Sequence, residues 1–143
     1  MIAIGSDHGG FALKEKVITH LKERGFEVKD FGTYSDKSCD YPVYGRAVAK
    51  SVAGGEAEKG IVICTTGLGI AMTANKVRGI RAAVCSDTVS ARLTRLHNDA
   101  NVLSMGAGII GENLALSIVD TFLDTEFSGE ERHIRRIRQI EEA

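Results

Sequence analysis

The apolar positions of this chain switch repeatedly between two spacings. Met1 to Ser6 is a short apolar run, and after Gly9-Gly10 the residues Phe11, Leu13, Val17, Ile18 and Leu21 recur at helical spacing until Gly25. This predicts strand, glycine turn, helix. A second strand is expected over Phe26 to Phe31. Asp40-Tyr41-Pro42 then opens a helix through Val52, with Pro42 in its first turn and Gly54-Gly55 beyond its end. Gly60 to Cys64 carries apolar residues on both parities, the mark of a strand buried on both faces.

Further on, Gly67-Leu68-Gly69 leads into a helix through Lys76, Ile80 to Cys85 reads as a fourth strand, and Asp87 starts a helix through Leu96. Asn101 to Met105 is the fifth strand. Leu114, Ile118, Val119 and Phe122 form a helical core stripe, and Ser128 with Glu131 offers a capping box for an arginine-rich last helix. Strands alternating with helices predict one α/β domain over 1–143, a doubly wound (Rossmann-like) three-layer α/β/α sandwich around a five-stranded parallel sheet. The common order 2-1-3-4-5 puts the switch point between the first and third strands. A ligand is therefore expected where Asp7-His8-Gly9-Gly10 and Cys64-Thr65-Thr66-Gly67-Leu68-Gly69 leave the sheet.

Composition acts mainly by exclusion. The 143 residues carry 18 Lys+Arg against 19 Asp+Glu, a net charge of -1 with both signs interspersed, which gives no footprint for nucleic acid or an anionic membrane. No apolar run reaches membrane-span length, and the N-terminus lacks a basic region followed by a signal-peptide core, so a cytoplasmic location is expected. Cys39, Cys64 and Cys85 form neither an even set nor a CxxC pair, which favours free thiols over a disulfide framework or a zinc site. No histidines pair at helical metal-ligand spacing, so no metal site is expected.

Cys64 ends a buried strand just before a glycine-rich loop that opens a helix, where backbone N–H groups and the helix dipole favour a thiolate able to act as base or nucleophile. A small buried hydrophobe is the alternative for Cys64, and the better reading of Cys85. Thr65 to Gly69 would set backbone donors and two hydroxyls around an anion, or simply form a tight turn. A dinucleotide site is a third reading, with Asp87 as ribose hook, although Met72 stands where the third glycine belongs. His97-Asn98-Asp99-Ala100-Asn101 offers a general acid and an amide, or local capping and turn bonding. Arg132 and Arg136, four apart, share a helix face that suits a phosphate or plain solvation beside Glu130, Glu131, Glu141 and Glu142. Asp7-His8 also reads as ordinary turn sequence, and His20 as a surface residue.

Taken together, Gly5-Ser6-Asp7-His8-Gly9-Gly10-Phe11, Asp40-Tyr41-Pro42, Ile63-Cys64-Thr65-Thr66-Gly67-Leu68-Gly69-Ile70, Ala74-Asn75-Lys76, Gly79-Ile80-Arg81-Ala82, His97-Asn98-Asp99-Ala100-Asn101 and Arg132-His133 resemble the type B ribose-5-phosphate isomerases nearly end to end. The resemblance implies interconversion of D-ribose 5-phosphate and D-ribulose 5-phosphate with no metal or organic cofactor. It also implies a homodimer, often paired into a tetramer, with active sites shared between subunits and the last helix, about 129–142, reaching the partner. Cys64 then matches the catalytic base, working through a cis-enediolate whose oxygen is held by the loop of Thr65, Thr66, Gly67, Leu68 and Gly69. His97 matches the ring-opening residue, assisted by Asp7 and Thr66; Asn98 and Tyr41 match sugar contacts; His8, Arg132 and Arg136 match the phosphate site, to which the partner contributes.

The sequence departs from the family pattern at three places. Cys-Gly-Thr-Gly becomes Cys64-Thr65-Thr66-Gly67, Gly108 stands where an arginine associated with phosphate binding is usual, and the turn Ser128 to Arg132 is one residue longer. Two alternatives follow: an isomerase of another sugar phosphate (allose 6-phosphate, galactose 6-phosphate or a tetrulose phosphate), or a non-catalytic nucleotide or sugar-phosphate binding module.

Overall fold

The computed structural model describes residues 1–143. In chain order the elements are β1 (Ile2–Ser6), α1 (Phe11–Glu23), β2 (Val28–Asp30), α2 (Tyr41–Ala53), β3 (Lys59–Cys64) and α3 (Leu68–Ala74). They continue with β4 (Ala82–Val84), α4 (Thr88–Asn98), β5 (Val102–Gly106), α5 (Glu112–Asp124) and α6 (Glu131–Glu141). All strand pairs are parallel, and the sheet order is β2-β1-β3-β5-β4.

The period-two alternation of each strand divides the core into two layers. Ile4, Ile61, Ile63, Leu103 and Met105 face Val17 and Leu21 of α1 and Ile118, Val119 and Phe122 of α5. Ala3, Val62 and Val102 face Val48 and Val52 of α2 and Ile70 and Ala74 of α3. Each large aliphatic side chain so buried stabilises the fold by roughly 1.5–3 kcal/mol. α4 joins the first layer through Ala91, and α6 lies outside it, packed against α4.

The expected strand order is corrected at its far edge, where β5 and not β4 lies beside β3. The cause is burial. Every residue of β5 is buried, whereas β4 has three residues, all at least partly exposed. A short, half-wet strand loses least at an edge. The exchange brings the segment after β5 against the end of β3: Ala107 N–H donates to Cys64 O and Gly108 N–H to Thr65 O, both at 2.9 Å.

Three smaller expectations also change. The capping box of Ser128 and Glu131 does not form, because α6 starts two residues later than that motif requires, with Glu130 at its N-cap; Ser128 Oγ accepts the Glu130 N–H instead. His20 is half-buried, with Nε2 2.7 Å from Asp120. Asp87 does open α4, but its carboxylate is fully engaged by Ser90, whose N–H donates to Oδ1 at 2.6 Å and whose hydroxyl donates to Oδ2 at 3.0 Å. Those bonds hold its carboxyl below the usual range and commit it to capping the helix.

Candidate active site

Three loops meet at the carboxyl ends of β1, β3 and β5. The β1 loop is stitched to β3 by Asp7, whose N–H donates to Ile63 O at 3.3 Å while its Oδ1 accepts the Gly10 N–H at 3.1 Å. Asp7 is buried. Half of its carboxylate thus performs the turn bonding that its sequence allows.

Cys64 closes β3 with 5% exposure, and the Gly67 N–H donates to its Sγ at 3.2 Å. A backbone donor thus reaches the sulfur from the turn that follows it. Gly67 adopts φ +79°, and a Cβ there would stand 2.8 Å from the Met105 carbonyl carbon, so no other residue fits without movement. Ser104 Oγ pins the turn from below by donating to Gly67 O at 2.6 Å. Ser104 was missed at the level of sequence; its only signal is a hydroxyl inside the otherwise apolar run of β5.

The same turn leaves donors free. The N–H groups of Thr65, Thr66 and Gly69 find no acceptor in the chain, while the Leu68 N–H is taken by Thr66 Oγ1 at 3.2 Å. Unpaired N–H groups in the turn that follows a strand-terminal thiol are donors of the kind an oxyanion accepts. Thr66 therefore shapes the loop, and its hydroxyl faces Leu68. The Tyr41 ring, from the first residue of α2, lies across Gly69, with Cε1 2.6 Å from where a Cβ would stand. The phenol OH makes no hydrogen bond within the chain and can face a ligand.

Thr65 and Gly108, two of the departures from the family pattern, meet in space. A Cβ on Gly108 would lie 3.0 Å from Thr65 Cγ2, and one on Gly9 would lie 2.4 Å from Thr65 Oγ1. Thr65 thus fills the gap between the β1 and β5 loops, next to the position where an arginine would start. His8 is exposed on the same rim, and its Nδ1 accepts the Cys39 N–H at 3.1 Å.

The remaining candidates lie elsewhere. His97 and Asn98 end α4 and precede β5, at the amino edge of the sheet, whereas Cys64 pairs with Gly106 at the carboxyl edge. β5 alone spans roughly 13 Å between the two. At the amino edge the His97 and His133 rings stack at 4.4 Å with a 16° interplanar angle. His133 is buried and its Nε2 has no partner. Burial, then the charges of Arg132 and His97, push its pKa below the ordinary histidine value.

Arg132 pairs with Glu130, and Arg136 is exposed without an ion pair. Asp99 and Asn101 serve the turn: Asp99 takes φ 45° and accepts Arg95, and Asn101 Oδ1 accepts the Arg81 N–H at 2.8 Å. Beside Asn98 a cavity of about 870 Å³ opens between β4, the end of α4 and the end of α6, with Lys76, Arg78 and Arg81 on its wall. A shallower groove of about 370 Å³ runs past Gly9 between α1 and the segment after β5. No cluster of three or more His, Cys, Asp or Glu side chains is placed to hold a metal, and no helix is long and apolar enough to cross a membrane.

Fold and site together define a doubly wound α/β protein with a buried thiol and a turn of unpaired backbone donors at the switch point of its sheet. The model of the Ribose/Galactose Isomerase family matches residues 2–140, and the chain belongs to that family. It is 52% identical over 139 residues to ribose-5-phosphate isomerase B of Escherichia coli, covering 97% of this chain and 93% of that protein. Among solved structures, ribose-5-phosphate isomerase B of Clostridium thermocellum superposes with a TM-score of 0.97 at 55% identity, covering 99% of this chain and 95% of the other. The ribose 5-phosphate isomerase of Thermotoga maritima superposes with a TM-score of 0.97 at 54% identity, covering 99% and 97%.

Proposed function

We propose that this protein is an aldose-ketose isomerase that interconverts D-ribose 5-phosphate and D-ribulose 5-phosphate, with Cys64 as its base. The observation that carries the reading is the Cys64 turn: a buried thiol receiving the Gly67 N–H, beside three unpaired backbone donors. Cys64 takes the proton from C2 of the open-chain aldose, and the electron pair left behind forms the C1–C2 double bond as O1 becomes negative. The free N–H groups of Thr65, Thr66 and Gly69 stabilise that oxygen. The proton then returns to C1 while the O2 proton passes to O1, so one base serves both carbons. Family membership and the names of the relatives support ribose 5-phosphate over other sugar phosphates. The occupied Asp87 carboxylate weighs against a nucleotide-binding module.

The reading includes a homodimer, alone or paired into a tetramer, with no metal or organic cofactor and a cytoplasmic location. Its support is the separation of the candidates within one chain. Cys64, Asp7, His8 and Tyr41 stand at one edge of the sheet, and His97, Asn98, Arg132 and Arg136 at the other. A second copy laying its α6 and the end of its α4 across the Cys64 loop completes a site that one chain leaves divided. His97 then opens the sugar ring with Asp7 and Thr66, Asn98 and Tyr41 hold hydroxyls, and His8, Arg132 and Arg136 hold the phosphate. The test is the initial rate of ribulose 5-phosphate formation by purified protein with chelator and reductant present. Rapid, chelator-resistant turnover is expected, and a negligible rate from folded protein overturns the reading.

A further inference from the structure

The contact between Cys39 and His8 fixes more than a ring orientation. Cys39 N–H donates to His8 Nδ1 at 3.1 Å, and the Cys39 thiol sulfur lies 3.9 Å from the same nitrogen. A backbone amide has only a proton to give, so Nδ1 must present its lone pair. A neutral imidazole with a bare Nδ1 carries its proton on Nε2. We propose that the backbone of Cys39 is a positioning group that locks His8 as its Nε2–H tautomer, making the exposed ring a neutral donor to an anionic oxygen of the ligand. That oxygen is the substrate phosphate if the isomerase reading holds, on which this part of the proposal rests.

The segment that carries the Cys39 amide is anchored at its near end. β1 and residues 31–33 exchange backbone bonds: Phe31 N–H to Ile4 O at 2.8 Å, Thr33 N–H to Ser6 O and Ser6 N–H to Gly32 O, both at 2.7 Å. Fully buried Lys14 clamps Asp30 with Nζ 2.7 Å from both carboxylate oxygens. Asp30 in turn accepts the Gly32 N–H on Oδ1 at 2.8 Å and the Tyr34 hydroxyl on its carbonyl at 2.9 Å. At the far end Asp40 is the N-cap residue of α2 and is tied to its first turn through the backbone, Val43 N–H donating to Asp40 O at 3.2 Å with no side-chain cap. The strap therefore holds its amide over His8 from both sides. A locked Nε2–H can only donate, which also removes His8 from the groups able to take a proton from the sugar.

The experiment uses full-length protein containing ring-15N histidine, with long-range proton–nitrogen correlation spectra recorded on the alkaline side of neutrality and His8 assigned from the His8→Gln variant. The expected spectrum shows His8 with Nδ1 bare and Nε2 protonated. Cys39→Ala keeps the N–H and keeps that tautomer. Cys39→Pro removes the N–H, shifts His8 toward a tautomer mixture and raises KM for ribose 5-phosphate roughly three- to ten-fold while kcat changes less than about two-fold. A His8 ring protonated on Nδ1 in the unmodified protein, or a Cys39→Pro spectrum identical to it, overturns the proposal. Should Cys39→Pro fail to fold, the spectrum of the unmodified protein decides. Absence of isomerase activity with the Nε2–H tautomer intact would remove the phosphate assignment and leave the lock standing.

Discussion

Cys64 and Cys85 occupy nearly the same address in the fold and differ in what reaches the sulfur. Each sits at the carboxyl end of a parallel strand, and each is almost fully buried, at 5% and 1% exposure. Behind Cys64 the chain turns through Gly67 at φ +79° and sends an N–H back to the sulfur. Behind Cys85 it goes straight into Asp87, the cap of α4, and no donor reaches the thiol. Burial first, and then the Asp87 carboxylate, push the Cys85 thiol from 9.0 up to about 11. Depth alone makes a thiol inert; the turn that follows the strand decides whether a backbone donor reaches it.

The largest test of this contrast is removal of each sulfur. Cys64→Ala is expected to lower kcat by about 10²–10⁴, the range for loss of a positioned base, with the thermal midpoint little changed. Cys85→Ala is expected to leave kcat within about two-fold. Comparable losses in the two variants would refute the assignment of the base to Cys64. A smaller effect comes from Gly67→Ala, which leaves the sulfur in place but removes the turn that serves it. The left-handed φ and the overlap with the Met105 backbone together cost roughly 3–4 kcal/mol, measured by urea denaturation. Stability within about 1 kcal/mol of the unmodified protein would mean that the turn relaxes freely.

Next in size is an alkaline effect confined to Cys85. Its thiol titrates near 9 in the unfolded chain and near 11 when folded, so the folded state holds its proton longer. The associated stability is fully present below pH 9 and is lost as pH rises through about 11. The displacement corresponds to roughly 2–3 kcal/mol. Denaturation midpoints of the unmodified protein and Cys85→Ala, compared across that window, should converge by this amount. Parallel curves would show that Cys85 titrates normally in the fold.

The Cys64 turn was legible in the sequence because its parts are consecutive: an apolar strand, a cysteine, a Gly-x-Gly and a helical stripe. The layers were legible for the same reason. The order of β4 and β5 was not, since exchanging two short strands alters no periodicity and only the burial of β5 decides it. Nor were the Ser104 bond to Gly67 or the Cys39 bond to His8, because a backbone group leaves no mark in the sequence of its side-chain partner. The distance between His97 and Cys64 was half legible. In a right-handed βαβ unit the helix returns the chain to the amino edge, so residues just before a strand lie far from residues just after one.

The smallest predicted effect lies at that amino edge and mirrors the behaviour of Cys85. His133 stacks on His97 with its Nε2 buried and unpartnered, and burial followed by the charges of Arg132 and His97 lowers its pKa from 6.5. Below pH 6.5 the unfolded chain takes up a proton that the folded chain still refuses, so this group's stabilisation is present above 6.5 and is lost as pH falls through the lower folded value. His133→Phe preserves a flat ring under His97 and abolishes the titration. Its stability should therefore decline less than that of the unmodified protein as pH falls below 6.5, with little difference above about pH 8. Identical acid slopes in urea midpoints would show that His133 takes up its proton as readily when folded. Flatter slopes would place a buried group at each end of the pH range, one that resists gaining a proton and one that resists losing it.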